Sequence, residues 1–244
     1  CSMKIVQVAR RYLPTLWGGT ETVLAESSRR FQILGVDSEV WCTSAFSKPG
    51  EDCLDGVRIR RFSHYYPYWG LSPEARVALD QKGGNCLSPG MIWALLRDSG
   101  LNLVHLHTGN RLGAGARSVA RWRGLPYVVT LHGGYFDMPP AQREQLQRPT
   151  QGAWDLGKPL GWLLGARRVV ENADAVICVG YNEYLEAKKR LSGRVEFLPN
   201  GVDVRRFSNG SAAAFRQRWA LEADAFVVLV VGRWDPQKGQ LELL

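Results

Sequence analysis

The chain has 244 residues, a formal net charge of +8 and 45% hydrophobic residues. This is the composition of a globular protein with a sizeable core; the longest apolar run, Ala225 to Val231, has the length of a strand and is too short to span a membrane. The excess of positive charge favours an anionic partner, such as nucleic acid, anionic lipid or a phosphorylated small molecule.

The five cysteines contain no C-x-x-C pair and leave one over. This pattern favours reduced thiols in a cytoplasmic protein over a disulfide framework or a zinc site. Cys1-Ser2-Met3-Lys4 leads directly into a strand, so no signal peptide is expected and Met3 reads as the natural start.

The first strand and turn run from Lys4 to Glu21. An apolar segment is followed by Gly18-Gly19, which allow a positive φ, and by Thr20 as a candidate helix N-cap. A glycine turn that leads into a helix N-terminus offers free N–H groups to an anion. A tight connection without any ligand is the equally plain alternative.

Strand-like and helical segments then alternate along the chain, which indicates a parallel sheet covered on both faces, a Rossmann-like α/β fold. The predicted strands are Lys4–Ala9, Ser38–Thr43, Val57–Phe62, Leu101–Leu106, Tyr127–Leu131, Ala173–Val179 and Arg194–Leu198. The predicted helices are Thr20–Leu34, Met91–Arg97, Ala114–Trp122, Leu160–Glu171 and Asn182–Leu191.

Two segments interrupt this alternation. Ser63 to Gly90 reads as a long loop or as a loop with a short helix. Its clustered tyrosine and tryptophan suit a membrane interface or a sugar or lipid acceptor, or a hydrophobic plug over the sheet. Pro139 to Gly157 is a polar loop. The arginines between Ser99 and Phe136, a span without acidic residues, read either as an anion-binding face or as a solvated helix face.

The turn from Leu198 to Asp203 looks like a linker, so we predict one domain over residues 3–200 and the start of another over 201–244. A short helix from about Ser211 to Trp219 and a strand from Phe226 to Val231 are expected in the second part. Because one strand cannot bury its own faces, we expect the second sheet to be cut off.

Three kinds of site fit the sequence poorly. A dinucleotide site needs G-x-G-x-x-G directly after the first strand, but the eight residues Arg10 to Trp17 intervene before only two glycines. No G-x-x-x-x-G-K-[ST] run exists for a P-loop. His105, His107 and His132 lack an accompanying carboxylate motif, so no metal site is predicted.

Polar residues stand instead where strands end. They are Gly18-Gly19, His107-Thr108-Gly109-Asn110, His132-Gly133-Gly134 and Gly180-Tyr181. In an open parallel sheet these ends meet at one crevice, where ligands bind.

Five separated motifs in order resemble family 4 glycosyltransferases with the GT-B fold. They are M-K-I-V with G-G-x-E, V-H-L-H, T-L-H-G, L-P-N-G-V-D and V-G-R-W-D-P-Q-K-G. The resemblance implies the N-terminal half of a two-domain GT-B architecture. It implies a retaining, metal-independent enzyme that needs no cofactor and transfers a sugar from a nucleotide-diphosphate donor.

The resemblance also implies roles for individual residues. His132 would be catalytic, beside the donor sugar, and the donor diphosphate would bind Gly18, Gly19, Arg233 and Lys238 in place of a metal. Glu21, His107, Asn110, Gly133 and Tyr181 would line the acceptor side or the cleft.

Two departures from the family pattern bear on activity. The family carries a spaced pair of glutamates in its C-terminal domain, and no such pair follows within the 244 residues, so we expect little or no transfer by this chain alone. Gly180 stands where many relatives have serine, which leaves that position without a hydroxyl.

The predicted function is therefore transfer of a sugar to a lipid-linked or polysaccharide acceptor, as in polysaccharide biosynthesis, by a cytoplasmic protein with peripheral contact to an anionic inner membrane face. Nucleic acid is not an expected partner, since no nucleic-acid motif occurs. The alternatives are a non-catalytic binding module for a phosphorylated or nucleic-acid ligand, and a GT-B epimerase or phosphorylase.

Overall fold

A computed structural model describes residues 3–136, 138–232 and 239–243. The chain divides into two compact units, residues 1–200 and 201–244, and each is described by itself. Residues 233–238, and with them Arg233 and Lys238, lie outside the described residues.

The first unit is built on an eight-stranded sheet and a separate two-stranded ribbon. Its strands are β1 (Lys4–Val8), β2 (Asp37–Thr43), β3 (Gly50–Leu54), β4 (Val57–Phe62), β5 (Tyr68–Trp69), β6 (Leu101–Leu106), β7 (Tyr127–Leu131), β8 (Trp154–Asp155), β9 (Ala175–Cys178) and β10 (Val195–Phe197). The large sheet has the order β10-β9-β7-β6-β1-β2-β4-β3, and β5 pairs with β8 in the ribbon.

Helices connect most of these strands. They are α1 (Gly19–Ile33), α2 (Pro73–Gln81), α3 (Pro89–Arg97), α4 (Asn110–Arg123), α5 (Pro140–Gln147), α6 (Lys158–Leu163) and α7 (Tyr181–Arg190). Short 3-10 turns lie at Pro14–Leu16, Arg148–Thr150 and Ala166–Arg168.

The central part of the sheet is buried on both faces, which is why its strands are mostly apolar. One cluster packs residues of α1, such as Leu24, against Val40 and Ile59. A larger cluster on the other side joins Val104 and Val129 of the sheet to α3 and α4. The prediction of a Rossmann-like parallel sheet with helices on both faces is confirmed.

One edge of the sheet differs from the prediction. The segment before Asp55-Gly56 forms β3, which pairs antiparallel with β4 through a two-residue turn with φ 48° at Asp55 and φ 80° at Gly56. No strand was predicted for this segment. An Asp-Gly pair between two short segments is typical of a hairpin. The strand was missed because Gly50–Leu54 is acidic and exposed, which is not typical of a strand.

Both interrupting segments contain a helix, and one predicted helix is divided. The loop after Ser63 contains α2, in agreement with the alternative of a loop with a short helix; Ser72 caps it, since its side chain accepts a hydrogen bond from the Ala75 N–H at 3.1 Å. The polar segment after Pro139 forms α5. The predicted helix Leu160–Glu171 is divided, because Gly165 turns the chain with φ 68° after α6.

The aromatic segment after Ser63 is partly a hydrophobic plug, one of the two predicted alternatives. Tyr66 is buried and donates a hydrogen bond to Asp80 Oδ1 at 2.8 Å, whereas Trp69 is exposed. The arginine-rich stretch is also partly internal. Arg111 is buried, and Arg123 donates to the Leu95 carbonyl at 2.6 Å, so a fully solvated basic face was the wrong interpretation.

In the second unit the structure describes α8 (Val204–Phe207), α9 (Ala212–Arg218) and α10 (Gln240–Leu243). The predicted helix near Ser211–Trp219 corresponds to α9, whose N-cap is Ser211. The predicted strand Phe226–Val231 is wrong: the segment is irregular and its side chains are exposed. A strand forms only against a neighbour that accepts its hydrogen bonds, and the described part of this unit offers no other extended segment.

Across the described residues, no helix combines the length and the apolar character needed to cross a membrane. Cys42, Cys53, Cys86 and Cys178 are all free thiols, and only Cys53 is exposed.

Candidate functional site

The sheet order places a topological switch point between β1 and β6. From β1 the chain moves to β2 on one side, and from β6 it moves to β7 on the other. Ligands of open α/β sheets bind outside the carboxyl ends of the strands at such a point. His107 follows β6 there, and its backbone N–H donates a hydrogen bond to the backbone carbonyl of Val8 in β1 at 2.8 Å.

Three histidines form a continuous row across β6 and β7. His107 Nδ1 and His132 Nε2 are 2.9 Å apart, and their rings stack with centroids 5.2 Å apart. The His105 ring lies 4.1 Å from the His107 ring, and His105 Nε2 is 2.7 Å from Thr130 Oγ1. The structure thus brings two predicted site residues, His107 and His132, into direct contact.

Burial holds all three imidazoles neutral at pH 7. Desolvation lowers the pKa of His132 to about 4. Desolvation, with a smaller contribution from His132, lowers the pKa of His105 to about 4 as well. The pKa of His107 falls well below its ordinary value for the same reason, strengthened by the two neighbouring histidines.

A hydrogen bond between two neutral imidazoles couples their tautomers, because one nitrogen donates and the other accepts. If His107 Nδ1–H donates to His132 Nε2, the proton of His132 is on Nδ1; in the reverse case it is on Nε2. His107 Nε2 is buried and, among the described residues, meets no hydrogen-bond partner. The pair therefore has two tautomeric arrangements, and each presents a different group at His132 Nδ1.

The loop after β7 is fixed by a residue that sequence reasoning missed. Glu183, buried in the first turn of α7, accepts hydrogen bonds from Gly133 N at 3.0 Å and from Tyr135 N at 2.9 Å. Gly133 and Gly134 both have positive φ, 98° and 78°, which glycine adopts without strain. A glutamate three residues after Gly180, at the start of a helix that follows a strand, was the available signal.

The glycine turn after β1 differs from the prediction in its backbone. Gly18 is the N-cap of α1 with φ −144° and ψ −170°, and Gly19 has no positive φ either. Thr20 is inside the helix, so its assignment as N-cap was wrong. Around Gly19 a Cβ would meet nothing within 4 Å, so the missing side chain leaves open space at the start of a 15-residue helix.

Glu21 is buried at this turn, and its carboxylate lies 3.7 Å from Arg11 Nε. A Cβ on Gly18 would approach Glu21 Oε2 to 3.1 Å, so Gly18 leaves room for that carboxylate. A negative charge in the first turn also matches the positive end of the helix.

Asn110 and Tyr181, the other predicted site residues that the structure describes, lie at the same edge of the sheet. Asn110 is exposed at the first position of α4 with φ 56°. Tyr181 is exposed at the first position of α7, and its ring meets Phe197 edge-on with centroids 5.4 Å apart. In the described parts of the chain, Gly18, Glu21, Asn110 and Tyr181 make no hydrogen bond to the histidine pair.

No metal centre is apparent in the described ranges, where no three His, Cys, Asp or Glu side chains come together in a way that could hold an ion. The histidines instead bond to each other and to Thr130.

The chain matches a known protein family. Residues 17–206 match Glycosyltransferase Family 4. The chain is 30% identical over 238 residues to D-inositol 3-phosphate glycosyltransferase 2 of Catenulispora acidiphila, covering 93% of the chain and 51% of that protein. It is 26% identical over 254 residues to the putative teichuronic acid biosynthesis glycosyltransferase TuaC of Bacillus subtilis, covering 99% of the chain and 61% of that protein.

A third relative, D-inositol 3-phosphate glycosyltransferase of Kineococcus radiotolerans, is 29% identical over 230 residues, with 91% of the chain and 49% of that protein covered. The chain thus spans about half the length of the first curated relatives it matches. The family match extends from the turn before α1 to the helix that follows the predicted linker. On this match, the chain belongs to glycosyltransferase family 4.

Proposed function

We propose that the natural protein containing this chain transfers a sugar from a nucleotide-diphosphate donor to an acceptor hydroxyl, with retention at the anomeric carbon and without a metal. Family membership and the glycosyltransferase names of the relatives support this. The observation that carries the proposal is the neutral His107–His132 pair at the switch point of the sheet.

The transfer breaks the bond between the anomeric carbon and the diphosphate oxygen and forms a bond to the acceptor oxygen on the same face. The acceptor hydroxyl loses its proton, and the departing phosphate oxygen gains one. Charge builds up on the diphosphate, so the main task of the protein is to stabilise that charge. A neutral His132 suits the donor sugar, since it can donate or accept a hydrogen bond without adding charge.

For the diphosphate we propose two sets of groups. Gly18 and Gly19 at the start of α1 supply backbone N–H groups and the positive end of a helix, with open space around Gly19. Arg233 and Lys238 supply cations; they lie outside the described residues, so their assignment rests on the family resemblance.

For the acceptor we propose the groups at the carboxyl edge, namely Glu21, His107, Asn110, Gly133 and Tyr181. The acceptor class is a lipid-linked glycan or a polysaccharide. The teichuronic acid role in the name of TuaC favours a polysaccharide, and the inositol phosphate names favour a polyol that carries negative charge. The protein acts in the cytoplasm, at the inner membrane face.

We further propose that the 244-residue chain by itself transfers little sugar, since it spans about half of its relatives and lacks the spaced glutamate pair. The test compares the chain with the natural gene product across nucleotide-diphosphate sugars, with product detected by mass and the anomeric configuration read by NMR coupling. We expect turnover with retention from the gene product alone. Inversion of configuration refutes the retaining mechanism, and robust turnover by the chain refutes the proposed need for the remainder.

A further inference from the structure

The ribbon formed by β5 and β8 exposes two tryptophans side by side. Trp69 and Trp154 are direct register partners, and they are 73% and 76% exposed. Cross-strand partners on a two-stranded ribbon project from the same face, so the two indoles form one surface. Large aromatic side chains rarely remain this exposed together unless they contact something outside the chain.

A second pair of exposed apolar side chains lies on α6, which begins three residues after the ribbon. Trp162 and Leu163 of this helix are 82% and 75% exposed. Both line a cavity of about 850 Å³ that Asp155, the neighbour of Trp154, also lines. We name Trp69, Trp154, Trp162 and Leu163 the tryptophan patch.

A buried arginine fixes the patch to the body of the domain. Arg111 of α4 pairs with Asp155 of the ribbon and donates to the carbonyls of Gly157 at 3.1 Å and Asn85 at 3.0 Å. Its guanidinium also lies 5.4 Å from the centre of the Tyr68 ring. The ribbon and the start of α6 are thus held by charge-assisted bonds, and the patch is a built feature of the fold.

Three cations border the same cavity. Lys158, Arg167 and Arg168 are exposed, and within the described residues they have neither an ion pair nor a hydrogen bond to another side chain. The one carboxylate in the cavity wall, Asp155, is already paired with Arg111. The border of the patch therefore carries uncompensated positive charge.

We propose that the tryptophan patch docks on an anionic phospholipid bilayer, with Lys158, Arg167 and Arg168 against the lipid phosphates. Tryptophan suits this position because its ring is apolar and its N–H reaches water at the headgroup level. Adjacent cations gain from the negative surface potential of anionic lipid, which a neutral protein surface does not supply. This charge complementarity favours a bilayer over a second copy of a chain that is itself at +8.

This proposal rests on the proposed function, because docking on a bilayer would serve sugar transfer to a lipid-linked acceptor. The cavity beside the patch is also lined by Asn110, at the carboxyl edge where the acceptor is proposed to bind. Docking there would bring a lipid-linked acceptor to that edge from the bilayer. Vesicle binding is measured without any transfer reaction, so failure of one proposal is distinct from failure of the other.

The test uses the 244-residue chain and vesicles of phosphatidylcholine with or without phosphatidylglycerol. Sedimentation gives the affinity, and tryptophan emission reports insertion. We expect binding only with phosphatidylglycerol, a blue shift of the emission, and weaker binding as salt rises. Equal binding to both vesicles, or none to either, overturns the proposal.

Paired variants separate docking from unspecific attraction. Arg167→Gln/Arg168→Gln should weaken vesicle binding about 25-fold, at about 5-fold for each cation that touches the surface. Arg121→Gln/Lys189→Gln removes the same charge from the exposed ends of α4 and α7 and should change binding less than 2-fold. An equal loss in both variants contradicts a defined docking surface.

A second pair tests the apolar side chains. Trp154→Ser/Trp162→Ser should abolish the blue shift, whereas Trp122→Ser, an exposed tryptophan near the C-terminal end of α4, should leave it unchanged. All three tryptophans are exposed, so folding should persist, which circular dichroism verifies. If the wild-type chain instead dimerises through the patch as its concentration rises and does not bind vesicles, the patch is a protein interface and the proposal fails.

Discussion

His107 Nδ1 lies 2.9 Å from His132 Nε2, so the tautomer of His107, which follows β6, is coupled to the tautomer of His132, which follows β7. Both imidazoles are held neutral by burial, which leaves hydrogen bonding as their means of acting on a ligand. The two strands are neighbours in the sheet, and their parallel register brings the two residues to the same edge.

Removal of the His107 nitrogen should impair transfer by the natural gene product without unfolding it. His107→Leu should lower the rate by about 3-fold to 10-fold, the value of one neutral hydrogen bond. His107→Asn, whose amide can take the place of Nδ1, should retain most of the rate. ¹⁵N NMR of the His132 ring supplies the spectroscopic readout: the Nε2 resonance should shift in His107→Leu, because that nitrogen loses its hydrogen-bond partner. An unchanged His132 spectrum in His107→Leu would contradict the positioning role.

The buried histidines should make the fold sensitive to acid. Their folded pKa values lie below the unfolded value of about 6.5, so between about pH 6.5 and pH 4 the unfolded chain binds more protons and stability falls as the pH falls. His105→Gln removes one such group and should reduce the loss of unfolding free energy between pH 7 and pH 5 by about 1–2 kcal/mol. Urea unfolding at each pH measures this, and an equally steep loss in the variant contradicts it.

The carboxylate of Glu183 should stabilise the loop that carries His132. Glu183→Ala leaves the N–H groups of Gly133 and Tyr135 without their acceptor, and we expect a loss of about 2–4 kcal/mol of unfolding free energy. Glu186→Ala, one turn along the same helix, removes only exposed pairs with Lys189 and Arg190 and should cost less than about 1 kcal/mol. Equal effects of the two substitutions on urea unfolding would show that the loop does not depend on Glu183.

Substitution of Gly19 by alanine should show whether this glycine is needed for the fold or for donor binding. The backbone there is helical and a Cβ meets nothing within 4 Å, so Gly19→Ala should leave stability unchanged or raise it by up to about 1 kcal/mol. If a donor phosphate approaches this backbone, the methyl group should weaken donor binding. Gly133→Ala, at φ 98°, should instead destabilise the fold by about 1–2 kcal/mol. Titration calorimetry with nucleotide-diphosphate sugar measures the donor affinity, and thermal unfolding measures the stability. An undiminished donor affinity in Gly19→Ala contradicts donor binding at Gly19.

The sequence pattern predicted the parallel strands of the sheet and the meeting of His107 and His132 at its edge, because buried parallel strands are mostly apolar and polar residues stand where they end. Hydrogen-bond partners from distant segments could not be read from it. Glu183 is 50 residues from Gly133, and Asp155 is 44 residues from Arg111. Such a partner decides whether an arginine is exposed to solvent or buried in an ion pair, and the local sequence pattern does not reveal it. For the same reason the apolar Phe226–Val231 reads as a strand although no partner strand pairs with it among the described residues.

The central claim is that neutral His132 acts on the donor sugar during transfer. The most direct measurement is single-turnover transfer by the natural gene product, wild type and His132→Ala, at pH 7 with donor at saturation. We predict a fall of at least about 100-fold in the rate of the chemical step, with donor affinity and unfolding free energy close to those of the wild type. A His132→Ala protein that binds donor and transfers sugar at the wild-type rate would contradict the claim.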